Sequence, residues 1–214
     1  MSMPRSYDNS SRAEAARETR LRILAAARRL IVSEGYRSFS IAALAEAAGV
    51  SPQTVYNAVG GKAEVLKACY NVTLAGDDEP VAMSDRPAFR ALALAESAEQ
   101  WIAAYAAWTR FVHERVGGLV GAVLFPGEAL DGGAGGFAAT IDRERRIGTT
   151  HAMTAYAERF GLPAGYTLDR LIDAVWTLNA PEVYDRLVRR SGWSPEEFER
   201  WIAGQLRAAL HPAA

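Results

Sequence analysis

The stretch SIAALAEAAGVSPQTVYNAVGGK, residues 40–62, decides the fold. Ser40 can cap a helix by accepting a backbone N–H, and Phe39 before it can staple onto Leu44. That helix ends at Gly49, where a tight turn needs a left-handed backbone. Ser51 and Pro52 open a second helix, as N-cap and first helical residue. Ala45 leaves room for a close crossing, and Val55 faces back into the angle between the helices. Leu44 and Val50 complete a small core. This Ala–Gly–Val spacing is what a helix-turn-helix requires. A plain helical hairpin with a polar outer face shares the spacing. The capped second helix, the arginine-rich helix before it and Lys62 weigh against that alternative.

The second helix leaves Gln53, Thr54, Tyr56 and Asn57 on its free face. These polar groups can reach base edges or phosphates. Its N-terminus, capped by Ser51, turns N–H groups and a positive dipole end toward phosphate. Lys62 opens the next helix, placed to hold a DNA backbone.

Outward from this centre, helical spacing continues. The periodicity predicts a first helix over 13–33, with Leu24, Ala27, Leu30 and Ile31 on one face and Arg17, Arg20, Arg22, Arg28 and Arg29 on others. Gly35 stops it. Residues 1–12 read as a mobile tail without the apolar run of a signal peptide. A helix from Lys62 to about Leu74 carries Val65, Leu66, Cys69 and Tyr70 on one side. Residues 76–80 mark a boundary. Helices are then expected over about 86–99, 101–116, 137–160, 167–179 and 181–190. Ser194-Pro-Glu-Glu197 is a capping box opening the last one. The Gly-rich stretch 117–136 reads as a flexible connection.

Charge is unevenly spread. Residues 1–68 carry ten Lys/Arg against six Asp/Glu, and residues 69–214 fourteen against nineteen. A basic first part fits a phosphate-binding module, although chance clustering of arginines on solvated faces gives the same count. The single Cys69 excludes an internal disulfide and falls in an apolar stripe, as a core thiol would. No run of about eighteen apolar residues offers a membrane span. A cytoplasmic protein is expected.

No catalytic constellation is present: there is no nucleophile elbow and no paired His and Cys. Gly132, Gly133, Gly135 and Gly136 lack the Gly-Lys-Ser/Thr of a phosphate loop. His113-Glu114, His151 and His211 lack metal-ligand spacing. Neither metal nor cofactor is expected. Trp101, Tyr105, Trp108 and Val112 share one helix face, as core or as the wall of an apolar pocket.

At these residues the chain resembles the TetR family of bacterial repressors. The resemblance rests on the amphipathic first helix, Gly35-Tyr36, the Ser40 cap, Ile41 to Val50, Ser51, Thr54-Val-Tyr56, Lys62 and Val65-Leu66, over about residues 13–70. A looser likeness covers Trp176 to Tyr184 and Gly192-Trp-Ser-Pro195. The departures are Ala58, Val59 and Gly61, where many members carry larger or more polar side chains.

The resemblance implies an all-α chain. Residues 13–61 would form a three-helix DNA-binding domain, residues 62–76 a connecting helix, and residues 77–214 a helical domain for ligand binding and dimerisation. It implies homodimers on palindromic operator DNA, joined through the C-terminal helices. Ser40, Tyr56 and Lys62 would contact phosphate, and Gln53, Thr54 and Asn57 would face bases. It also implies a pocket for a small apolar or aromatic effector, fed by Trp101, Tyr105, Trp108, His113, Phe125, Met153, Tyr156 and Trp176. The effector would pivot the helix from Lys62 onward and release the DNA. Two rival readings are a helical enzyme or carrier with a vestigial N-terminal domain, and an architectural DNA binder that senses nothing.

Overall fold

The computed structural model describes residues 6–125, 132–163 and 165–210, and no strand occurs among them. His211 and residues 126–131 of the Gly-rich stretch lie outside the described residues. Helices α1 (Ser6–Glu34), α2 (Ile41–Ala48), α3 (Pro52–Ala58) and α4 (Lys62–Ala75) come first. A 3-10 turn at Met83–Asp85 leads to α5 (Pro87–Leu94), α6 (Ala98–Leu124) and α7 (Gly132–Phe160). Then follow α8 (Leu168–Leu178), α9 (Pro181–Tyr184) running on as a π-helix over Asp185–Arg190, and α10 (Pro195–Leu210).

The chain forms two compact units, Met1–Asp78 with Ala122–Phe137, and Glu79–Gly121 with Ala138–Ala214. The first unit buries Ile23, Leu24, Ala27 and Ile31 of α1, Leu44, Ala45 and Ala48 of α2, and Val55 of α3. Val65, Leu66, Cys69 and Tyr70 of α4 are buried with them, so each helix contributes its apolar stripe. Burial pushes the Cys69 thiol up to about 11, and the residue packs as a small apolar side chain. The second unit centres on a cluster that includes Trp101, Ile102, Tyr105, Met153, Tyr156, Leu171, Phe198 and Ile202. No described helix is long and apolar enough to cross a membrane.

Several expectations need correction. α1 begins at Ser6, ahead of the expected start at 13. The predicted break near residue 100 lies earlier, at residues 95–97. Most important, Gly117, Gly118 and Gly121 lie inside α6, and α7 starts within the second glycine cluster, at Gly132. The absent side chains admit neighbours. A Cβ on Gly121 would lie 1.8 Å from Nη1 of Arg189, and one on Gly117 would lie 3.4 Å from the Tyr184 ring. Arg189 Nη1 donates to the Gly117 carbonyl at 3.0 Å. Tertiary packing here outweighs the low helix propensity of glycine.

Candidate nucleic-acid interface

Local chemistry builds the helix-turn-helix. Ser40 sits in extended backbone, and its Oγ accepts from the Ala43 N–H at 3.2 Å. Gly49 adopts φ 65°, ψ 40°, the left-handed C-cap expected of it, and its N–H returns to Ala45 and Glu46 carbonyls. Val50 N donates to the Ala45 carbonyl at 2.9 Å. Ser51 Oγ accepts from the Thr54 N–H at 3.1 Å and lies 2.8 Å from Thr54 Oγ1. Pro52 fills the first turn, where no N–H acceptor is needed.

The helix so started is two turns long. Val55 is wholly buried, while Gln53, Asn57 and Tyr56 are exposed, Tyr56 by 53%. Thr54 is half-buried. Gln53 Nε2 donates to Asn57 Oδ1 at 2.9 Å, so two amides are aligned on one outer face. Ser40 and Ser51 are exposed at the two helix starts. Lys62 is held rather than free: Nζ donates to the Arg37 carbonyl at 3.3 Å and lies 4.4 Å over the Tyr36 ring. A Cβ on Gly61 would stand 3.2 Å from Glu64 Oε2, the end of an exposed side chain that can move aside.

The sequence reading missed Arg20. Its Nη1 donates to the Ala58 carbonyl at 2.8 Å. Only the general arginine-richness of α1 hinted at it, because the pair is separated by thirty-eight residues.

Seven of the eight candidate effector residues lie in the second unit. Trp101, Tyr105, His113, Met153 and Tyr156 are buried, and Trp108 and Trp176 are half-buried. Phe125 is half-buried and groups with the first unit. Trp101 stacks on Tyr105 at 5.0 Å and meets Tyr156 edge-on at 5.0 Å. Trp108 meets Phe89 edge-on at 5.3 Å. His113 stacks on Tyr184 at 4.8 Å.

Asn179 organises the buried polar groups. Its Nδ2 donates to Tyr105 OH at 2.8 Å and to Thr149 Oγ1 at 3.2 Å. Arg145 Nη2 donates to Asn179 Oδ1 at 2.7 Å and to the Trp176 carbonyl at 2.8 Å. His113 Nε2–H donates to the Asn179 carbonyl at 3.1 Å. Burial first, and the Arg145 charge second, lower His113 to about 4, so it is neutral at neutral pH.

A separate cleft of about 410 Å³ is lined by Phe89, Leu92, Ala93, Trp101, His151, Ala152, Ala155 and Arg159. Of the eight expected contacts, Trp101 alone lines it. Arg159 Nη1 donates to the Leu92 and Ala93 carbonyls, each at 3.2 Å, and Nη2 to the Ala95 carbonyl. A basic group thereby closes the C-terminal end of α5.

Residues 23–69 match the family described as bacterial regulatory proteins, tetR family. No curated protein matches the chain in sequence. Two solved structures share its fold. MexZ of Pseudomonas aeruginosa, described as a key repressor responsible for antibiotic resistance, is 21% identical, with TM-score 0.61 over 92% of this chain and 96% of that one. The fatty acid degradation regulator FadR of Bacillus halodurans is 13% identical, with TM-score 0.66 over 90% of this chain and 96% of that one.

Proposed function

The chain belongs to the TetR family of bacterial regulatory proteins through its N-terminal domain, a family of DNA-binding regulators rather than enzymes, and on that premise we propose that it is a ligand-responsive repressor binding a palindromic operator as a homodimer. The observation that carries the reading is the outer face of α3. Val55 points inward, and Gln53, Tyr56 and Asn57 remain exposed on a helix capped at its N-terminus. In this reading Gln53, Thr54 and Asn57 face base edges in a major groove. Ser40, Ser51, Tyr56 and Lys62 hold phosphates, Lys62 by leaving the Arg37 carbonyl.

One such helix covers a single half-site. Two recognition helices about one DNA turn apart supply the rest, which calls for a dimer. Its contacts are assigned to the C-terminal helices α8 and α10. A small apolar or aromatic effector binds in the second unit, in the region of Trp101, Tyr105, Trp108, His113, Met153, Tyr156 and Trp176. It lowers DNA affinity by favouring the state that binds DNA less well.

The test is selection of duplexes from a random pool, followed by anisotropy titration. A palindrome should emerge and bind two chains. Gln53→Ala should weaken it by roughly 1–3 kcal/mol and relax one base position in each half. Lys62→Ala should weaken all duplexes alike and flatten the salt dependence. Equal binding of every duplex by the wild type would refute sequence-directed regulation.

A further inference from the structure

We propose that the cleft beside Trp101 binds a small amphiphile bearing one anionic group, a carboxylate or comparable oxyanion. The inference moves the effector to a cleft that shares only Trp101 with the residues assigned above and names its class, and it depends on that reading only for the consequence at DNA. The cleft, about 410 Å³, is of a size found for small-molecule sites, roughly 300–1,000 Å³. Phe89, Leu92, Trp101, Ala152 and Ala155 give it an apolar wall. Its two polar side chains, His151 and Arg159, are both nitrogen bases, and no carboxylate lines it.

The setting of Arg159 differs from that of four other arginines in the same unit. Arg110 meets Glu199, Glu196 and Glu114, Arg146 meets Asp173, Arg190 meets Asp185, and Arg207 meets Glu99. Arg159 bonds three backbone carbonyls instead. Those carbonyls are neutral dipoles. They fix the guanidinium at the wall and leave its full charge without a counter-ion. Its Nε–H has no acceptor among the described residues, and His151 adds an exposed ring nitrogen that can donate. An oxyanion placed between them gains charge-assisted hydrogen bonds, while its apolar body leaves water against Phe89 and Trp101. A cationic amphiphile meets repulsion in the same place, and a neutral one forgoes the charge-assisted bonds.

The experiment is calorimetric titration of the full chain, without DNA, with octanoate, octan-1-ol and octyltrimethylammonium. Octanoate should bind about tenfold more tightly than octanol, the factor one charge-assisted hydrogen bond supplies. His151→Glu, at an exposed position that leaves the core alone, should abolish that preference. Ala155→Phe should fill the cleft and remove octanoate binding. Arg159→Lys should keep more of the preference than Arg159→Gln. Octanol binding as tightly as octanoate, or octanoate binding unaffected by Ala155→Phe, overturns the assignment. The operator titration is run in parallel on the same preparations. A protein that binds its operator but discriminates no anion refutes the ligand class alone. One that binds octanoate selectively but no DNA sequence refutes the regulator reading alone.

Discussion

Arg20 of α1 donates from Nη1 to the carbonyl oxygen of Ala58, the last residue of α3, at 2.8 Å. The final carbonyls of a helix have no partner within it, and a cation there also meets the negative dipole end. α3 ends at Val59 with φ −134° and Gly60 with φ 126°, and the N–H groups of both return to the Val55 carbonyl, so the Ala58 carbonyl is left for a partner from outside the helix. Arg20 supplies that partner and ties the end of the proposed DNA-reading helix to α1.

Replacing Arg20 should therefore act through the placement of α3. Arg20→Met is expected to weaken operator binding about tenfold, the lower end of the worth of one charged hydrogen bond. Arg20→Lys should recover part of the loss. Titration across salt concentrations separates this from a phosphate contact: positioning leaves the slope of affinity against salt unchanged, whereas a lost phosphate contact lowers it by about one.

Gly49 should resist substitution for a conformational reason alone. Nothing lies within 4 Å of a Cβ built there, but the backbone is left-handed at φ 65°. Gly49→Ala should cost about 1 kcal/mol, read as a lowered urea midpoint with an unchanged slope. A neutral effect would mean that the turn relaxes.

The glycines inside α6 predict opposite responses from near neighbours. Gly118 has open space around it, so Gly118→Ala should stabilise the chain by roughly 0.5–1 kcal/mol through helix propensity. Gly121→Ala must displace the Arg189 guanidinium and its bond to Gly117. That loss should cancel the propensity gain. Thermal melts of the two variants side by side check the contrast.

His113 should make stability depend on pH. Its folded value, about 4, lies below the ordinary 6.5. Across that window the unfolded chain takes up a proton that the folded chain refuses. Stability is therefore full above 6.5, falls as pH drops toward 4, and levels off below. The contribution amounts to roughly 3 kcal/mol. His113→Gln, which keeps a donor for the Asn179 carbonyl but cannot titrate, should flatten the urea-midpoint profile over that range.

Local chemistry was the readable part of this chain. Ser40, Ser51 and Thr167 cap the helices they precede, each through its own side chain. Ser194 and Glu197 form both bonds of the capping box, at 2.7 and 3.1 Å. Such features lie within four residues of each other, so spacing reveals them. Gly117 and Gly121 misled because a glycine that ends a helix and one that admits Arg189 look alike in sequence. The bonds around Asn179 join residues 105, 113, 145, 149 and 179, and no periodicity connects those positions. The cleft was half legible: Trp101 stood out as an aromatic, whereas Arg159 looked like any helix-surface charge.

The bond between Gln53 and Asn57 has a consequence for the search along a chromosome. One Gln53 donor and one Asn57 acceptor are already engaged with each other before any base is met. In the proposed reading, gliding over the wrong sequence leaves that one bond in place and gains nothing in exchange, so such encounters end quickly. At the right base the clasp would exchange one partner for another, and that difference would add to the dwell time that phosphate contacts give on any sequence.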